Sequence, residues 1–253
     1  MSRTPFPDSA LATEFLASPN HNERRAHARP NSVILHYTGM PTGIAALQLL
    51  RDPASEVSSH YFVWEDGRIC QLVEEKRRAW HAGVAFWKGA RDINSVSIGV
   101  EIVNPGHDGG LPPFAPTQIA AVIALLKDIG ARHAIKPEGI LAHSDVAPAR
   151  KIDPGEKFPW GELWRAGVGH WVEPAPITEG PVLRRGEEGA STRALQAMLA
   201  LYGYGVEVSG AYDRTTELTV TAFQRHFRQA LVDGQADVSI VDTLRRLIGA
   251  LTA

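Results

Sequence analysis

The chain has 253 residues, a formal net charge of −2 and an ordinary 44% share of hydrophobic residues, enough for one large domain and a small one. So even a balance leaves no electrostatic footprint for nucleic acid or an acidic membrane surface, and no stretch approaches the ~20 apolar residues of a membrane span. The one cysteine, Cys70, has no internal disulfide partner and sits in the apolar run Ile69–Val73, where it reads as core.

Residues 1–30 form a polar N-terminal arm without an h-region, a small-residue cleavage site or a lipobox cysteine. The chain therefore reads as cytoplasmic; a trimmed start, or a dedicated route to the periplasm, looks the same at this level. His21 and His27 lie in polar company and read as solvated. The first buried strand is Ser32-Val33-Ile34-Leu35, which ends in His36 and a Gly/Pro-rich exit from Gly39 to Pro41. Gly43 to Leu50 reads as a short amphipathic helix that stops before Pro53.

His60 to Trp64 and Ile69 to Val73 flank Glu65-Asp66-Gly67, a hairpin signal. His60, at the start of the first of these strands, reads either as pocket lining or as a structural hydrogen-bonding group. Ala79-Trp80-His81-Ala82-Gly83, followed by Phe86 and Trp87, is an aromatic loop between strands. Trp80 and His81 suit the wall of a substrate groove, in which a ring covers an apolar face of the ligand; a core position is the other reading of Trp80.

Val96 to Val103 alternates Ile98, Val100 and Ile102 against Ser97, Gly99 and Glu101. Period-two alternation puts Glu101 opposite the bulky residues. A carboxylate inside an apolar strand is costly without a partner or a task. The task here is general base, with a buried ion pair as the competing reading. Gln118 to Arg132 carries Ile119, Val122, Ile123, Leu126 and Ile129 at helical spacing, with Thr117 as the expected N-cap and Gly130 near the end.

The densest chemistry lies in Leu141 to Gly155. An apolar run ends in His143, and a Pro-containing loop leads to Asp153 just before a Pro-Gly turn. With His36 as the third member, these residues make a His2Asp set that leaves a coordination position open and suits zinc better than magnesium. Either histidine alone reads as a polar group at a strand end. His81 is read as a substrate contact, because a fourth protein ligand would close the metal.

Taken together, Ile34-Leu35-His36-Tyr37-Thr38, Ser59-His60-Tyr61, Ala79-Trp80-His81-Ala82-Gly83 and Ser97 to Asn104 resemble the zinc-dependent N-acetylmuramoyl-L-alanine amidases of the AmpD/AmiD type, which share a fold with peptidoglycan recognition proteins. The motifs run in family order over roughly residues 30 to 170. The resemblance implies an α/β domain, residues 31–172, with a central mixed sheet, helices on both faces and the metal at one end of the strands. It implies zinc on His36, His143 and Asp153, with Lys151 helping to stabilise the transition state. The substrate is then peptidoglycan or a muropeptide, cut between N-acetylmuramic acid, or its 1,6-anhydro form, and L-alanine. The alternative from another class is a peptidoglycan recognition protein that binds without cutting; the presence of His36, Glu101, His143, Lys151 and Asp153 together argues against it. Another zinc amide hydrolase is a third reading.

Residues 173–181 contain three prolines and read as a linker. Residues 182–253 show three helical patterns and resemble a three-helix peptidoglycan-binding module. Ser209-Gly210 stands where that module often has Asp-Gly, and Tyr212-Asp213 replaces its usual glycine-rich turn. A core this small calls for packing against the first domain or against another copy of the chain as a homo-oligomer.

Overall fold

The computed structural model describes residues 6–251, so the first five residues of the expected arm lie outside it. The strands are β1 (Glu14–Phe15), β2 (His21–Glu23), β3 (Ser32–Tyr37), β4 (Tyr61–Val63), β5 (Ile69–Gln71), β6 (Arg77–Ala79), β7 (Ser97–Ile102) and β8 (Ile140–Ala142). Up to His143 the helices are α1 (Gly43–Arg51), α2 (Ile93–Val96) and α3 (Pro116–His133). Beyond it come α4 (His143–Val146), α5 (Trp160–Arg165), α6 (Ala190–Tyr202), α7 (Arg214–Phe227) and α8 (Val238–Ala250).

Six strands form the main sheet in the order β1-β5-β4-β7-β3-β8. All neighbours are parallel except β4 and β5, the hairpin that Glu65-Asp66-Gly67 closes. The sheet is therefore mixed. Alternation along β4 shows why helices cover both faces: Tyr61 and Val63 join the larger core with Ile119, Val122 and Leu126 of α3, while Phe62 turns to Ala46 and Leu50 of α1. Thr42 caps α1 by accepting from the Ala45 amide.

Helix α3 starts at Pro116, which needs no amide partner at a first-turn position, and runs past Gly130 to His133. The expected cap, Thr117, instead donates its hydroxyl to the Glu65 carbonyl. Gly130 does not end the helix, because Ala134 takes the left-handed conformation at its C-cap.

His27 is exposed and His21 partly so, as read from sequence, but the polar arm around them is tied into the fold. β1 pairs with β5, and β2 pairs with β6 in a small second sheet. Arg24 is buried, and its guanidinium donates to the carbonyls of Glu75, Asn94, Ser95 and Ser97. Burial lowers its pKa to about 10, so it stays charged at neutral pH.

Within residues 173–181, Ala175 is fixed to the last helix: its amide donates to Thr243 Oγ1 and its carbonyl accepts from Ser239 Oγ. Asp213 and Asp237 cap α7 and α8. The apolar side chains of α6, α7 and α8 run into the same core as the sheet. Among the described residues, no helix is long and apolar enough to cross a membrane.

Arg24 gathers four carbonyls from two distant segments. Arg24→Ala is expected to cost on the order of 3 kcal/mol, the scale of leaving several buried acceptors unpaired, seen as a lowered Tm in a thermal melt. A change within error would mean that the arm is not structurally required.

Candidate metal centre

Three parallel strands bring the chemistry to one place. β3 lies between β7 and β8, and its register sets His36 opposite Glu101. β8 ends at Ala142, so His143 opens the single turn α4 beside the end of β3. The loop that follows returns Asp153, and the Ser144 amide donates to the Asp153 carbonyl at 3.0 Å. Ligand-bearing residues thus meet beyond the carboxyl ends of parallel strands, where α/β sheets commonly bind ligands.

His36 Nδ1 stands 2.9 Å from His143 Nδ1, and each is 3.0 Å from Asp153 Oδ2. All three residues are buried, and their candidate ligand atoms lie within 4.8 Å of one another. The remaining ring nitrogens fix the tautomers. His143 Nε2 faces the Ala82 carbonyl at 3.1 Å and must carry the proton. Ser97 Oγ donates to the Ile93 carbonyl, which leaves it to accept from His81 Nε2. His81 Nδ1 then accepts from His36 Nε2 at 3.1 Å. Both Nδ1 atoms are left with lone pairs pointing at a carboxylate.

Protonation of His36 does not relieve that crowding at neutral pH. Burial, then His143, lowers the His36 pKa to about 4. Burial alone would raise Asp153, but the charge and hydrogen bond of His143, with those of His36, hold its carboxyl far below the usual range. Two imidazole nitrogens and a carboxylate directed at one point match the donor set of an open zinc site.

A cavity of about 410 Å³ opens over this cluster, lined by His36, Tyr37, Trp80, Glu101, Lys151 and Asp153 among others. Among the described residues Glu101 Oε2 is buried without a hydrogen-bond partner, and the buried ion pair weighed from sequence is absent among them. Burial, then the Asp153 carboxylate, raises its pKa well above the usual value, with Lys151 opposing. Trp80 is half-buried at the wall, its indole donating to Asn22 Oδ1.

Other predicted positions fall elsewhere. His60 is fully buried and absent from the cavity wall; its Nδ1 accepts from the Gly99 amide, and Nε2 lies 3.1 Å from the Arg77 carbonyl. Burial, then Arg24, lowers its pKa to about 3, so it is a neutral structural group. His81 borders the cavity but its ring nitrogens are spent on His36 and Ser97. Gly99 makes room for it, since a Cβ there would sit 2.5 Å from the imidazole. Trp87, read from sequence as part of an aromatic loop between strands, is buried edge-on against Tyr202 and Tyr204.

Sequence reasoning passed over Ser97, Arg150 and Tyr37. Arg150 lines the cavity and donates to the Ala82 and Val84 carbonyls. Tyr37 lines it from the end of β3, with its hydroxyl 3.0 Å from His107 Nδ1. Alternation along β7 could have found Ser97, which lies on the Gly99–Glu101 side of the strand.

Residues 26–156 match the N-acetylmuramoyl-L-alanine amidase family (Amidase_2), and residues 188–244 match the peptidoglycan-binding domain family PG_binding_1. The chain is 40% identical to N-acetylmuramoyl-L-alanine amidase AmiD of Escherichia coli K12 over 224 residues, covering 84% of this chain and 80% of that protein. The fold superposes on a structure of E. coli AmiD in complex with anhydro-N-acetylmuramic acid-L-Ala-D-gamma-Glu-L-Lys with a TM-score of 0.76, at 37% identity over 90% of this chain and 92% of that one. A structure of AmpDh3 from Pseudomonas aeruginosa with anhydromuramic pentapeptide gives 0.73 at 31% identity, covering 90% and 94%. With a match spanning half its length and a relative this similar along most of the rest, the chain belongs to the N-acetylmuramoyl-L-alanine amidase family.

Proposed function

We propose that the protein hydrolyses the amide between the lactyl group of N-acetylmuramic acid, or its 1,6-anhydro form, and L-alanine, with zinc held by His36, His143 and Asp153. The observation that carries this reading is the meeting of two imidazole lone pairs and a carboxylate oxygen within about 3.0 Å at the floor of a cavity that also holds Glu101 and Lys151. Zinc bound there supplies Lewis-acid activation of water and of the scissile carbonyl. Glu101, half-buried and free of any competing partner, takes the proton from the attacking water and delivers it to the leaving amine of L-alanine. The Lys151 ammonium faces the oxygen that gains charge as the carbonyl becomes tetrahedral. Trp80 offers a ring face to the sugar-peptide, and the bound muropeptides of the relatives set the class of substrate to be tested first. The region matching the peptidoglycan-binding family is proposed to hold the enzyme near polymeric wall.

Metal analysis of the purified protein is expected to give about one zinc per chain. His36→Ala, His143→Ala and Asp153→Ala should each lose it, while Glu101→Ala keeps zinc and loses roughly 10²–10⁴ in turnover on an anhydromuramyl peptide. An active, metal-free enzyme ends the zinc reading; loss of zinc from Glu101→Ala makes that residue structural.

Glu101 also links stability to pH in the zinc-free protein. Its folded pKa is raised above its ordinary value of 4.5, so between the two values the native state binds more protons than the unfolded one. Stability therefore falls as pH rises through that window. Glu101→Gln removes the effect: the zinc-free variant is expected to melt above the zinc-free parent near pH 7, by roughly 2–4 °C for each kcal/mol regained. The gain should shrink as pH falls and vanish below 4.5, where both states are protonated. A constant difference across that range would place the unpaired charge elsewhere.

A further inference from the structure

Asp145 is a fully buried carboxylate two residues after His143, and it does not line the cavity. One of its partners is local: Oδ2 accepts from the Ala142 amide at 2.8 Å, which ties down the start of the turn α4. The others come from far along the chain. Tyr204, 59 residues later, donates its hydroxyl to Oδ1 at 2.7 Å. His226, 81 residues later, meets Oδ2 through Nδ1 at 2.7 Å. A carboxylate taken wholly out of water needs partners of this kind, and losing one leaves a charge that the turn can relieve only by moving.

The distant partners are themselves fixed. The His226 ring stacks on Trp160 at 3.6 Å between centroids, and its carbonyl accepts from Trp171 Nε1. Tyr204 follows Gly203, whose carbonyl accepts from the Lys88 amide at 2.9 Å. A Cβ at Gly203 would stand 2.7 Å from the Trp87 ring, so this segment lies directly on the aromatic loop. The Phe86 amide in turn donates to the Val146 carbonyl at the end of α4. On the other side, Gln229 Nε2 donates to the carbonyls of Glu156 and Phe158, holding the segment that follows Asp153.

We infer that the helical C-terminal region is a working part of the hydrolytic centre, with Tyr204, His226 and Gln229 acting as positioning residues for the turn that carries His143 and the loop that carries Asp153. This rests on the zinc reading above for its consequence, though not for its geometry. A module present only to raise local concentration at the wall needs no donor to a carboxylate beside a ligand. Here the last third of the chain supplies two of the three donors that Asp145 receives. Outer-shell partners of metal ligands typically govern 10–100-fold in metal retention, and one step further out the same mechanics act through the position of the turn.

The test uses the full chain with Tyr204→Phe, His226→Leu and His226→Gln, read by zinc loss to excess chelator and by amide hydrogen exchange over residues 142–147. Gln196→Ala is the control, because Gln196 is buried in the C-terminal region and bonds only within it, to Ser209, Gly210, Ala211 and Thr216. Tyr204→Phe and His226→Leu are expected to release zinc about 10–100-fold faster and to exchange faster over 142–147. His226→Gln, which keeps a side-chain donor, should recover part of both. Gln196→Ala should change neither, even where it lowers Tm as much. Equal zinc loss in Gln196→Ala, or unchanged exchange at 142–147 in Tyr204→Phe, overturns the inference. If the parent protein holds no zinc, the zinc reading fails and the exchange measurement alone decides whether Tyr204 and His226 position the turn. Should His226→Leu not fold, Tyr204→Phe, which removes one oxygen atom, carries the test.

Discussion

The parallel pairing of β3 with both β7 and β8 is the constraint on which the site depends. Parallel strands end at the same edge, so residues that terminate them are neighbours whatever their distance in sequence. The register then fixes which neighbours: His36 lies opposite Glu101, and Ala142 opposite Leu35 places His143 one step beyond the sheet. A slip of one residue in β7 would turn Glu101 to the other face and put an apolar side chain in the cavity. The apolar alternation of Ile98, Val100 and Ile102, all fully buried, sets that register.

Around this edge the protein controls protons as closely as positions. A neutral histidine binds a metal through whichever nitrogen is left bare, and that choice is made by the partner of the other nitrogen. For His143 the partner is a carbonyl, which can only accept. For His36 it is His81, whose own tautomer follows from Ser97 and, behind it, the Ile93 carbonyl. His81 therefore shapes the site from behind, and the motif Trp80-His81-Ala82-Gly83 joins two tasks: a wall for the cavity and the backing of two imidazoles, through His81 and the Ala82 carbonyl.

The sequence shows what period and local composition can carry. His36, Glu101 and the 139–155 stretch stand out because polar groups interrupt or terminate apolar strands, and that pattern survives folding into one sheet. Arg24 could not be seen this way. It sits in a run of polar residues, and its burial is created by carbonyls some 50 to 70 positions later. Asp145 is hidden for the same reason, as one more polar residue in a loop until Tyr204 and His226 arrive. His60 misleads in the other direction: it lies beside a motif and at a strand start, yet it hydrogen-bonds inward to the Gly99 amide. Trp87 likewise belongs to an aromatic loop by sequence and to the junction with Tyr202 and Tyr204 in space. Contacts that cross between distant segments are the ones that local pattern cannot report.

The two acidic groups of the cavity show how surroundings divide labour between like side chains. Asp153 and Glu101 line one space, and each raises the cost of ionising the other. Asp153 meets two imidazole nitrogens and stays ionised. Glu101 meets no donor through Oε2, and burial shifts it towards the protonated form. Carboxyl groups driven apart in this way suit different tasks, one a constant anion and the other a group that gains and loses a proton. Lys151 opposes the rise at Glu101 and faces the same cavity. A divalent cation held by His36, His143 and Asp153, as proposed above, would act in the same direction as Lys151 and favour ionised Glu101. Under the proposed mechanism, loading the site and shifting Glu101 towards the form that accepts a proton are one electrostatic event, and emptying the site shifts it back towards the protonated form.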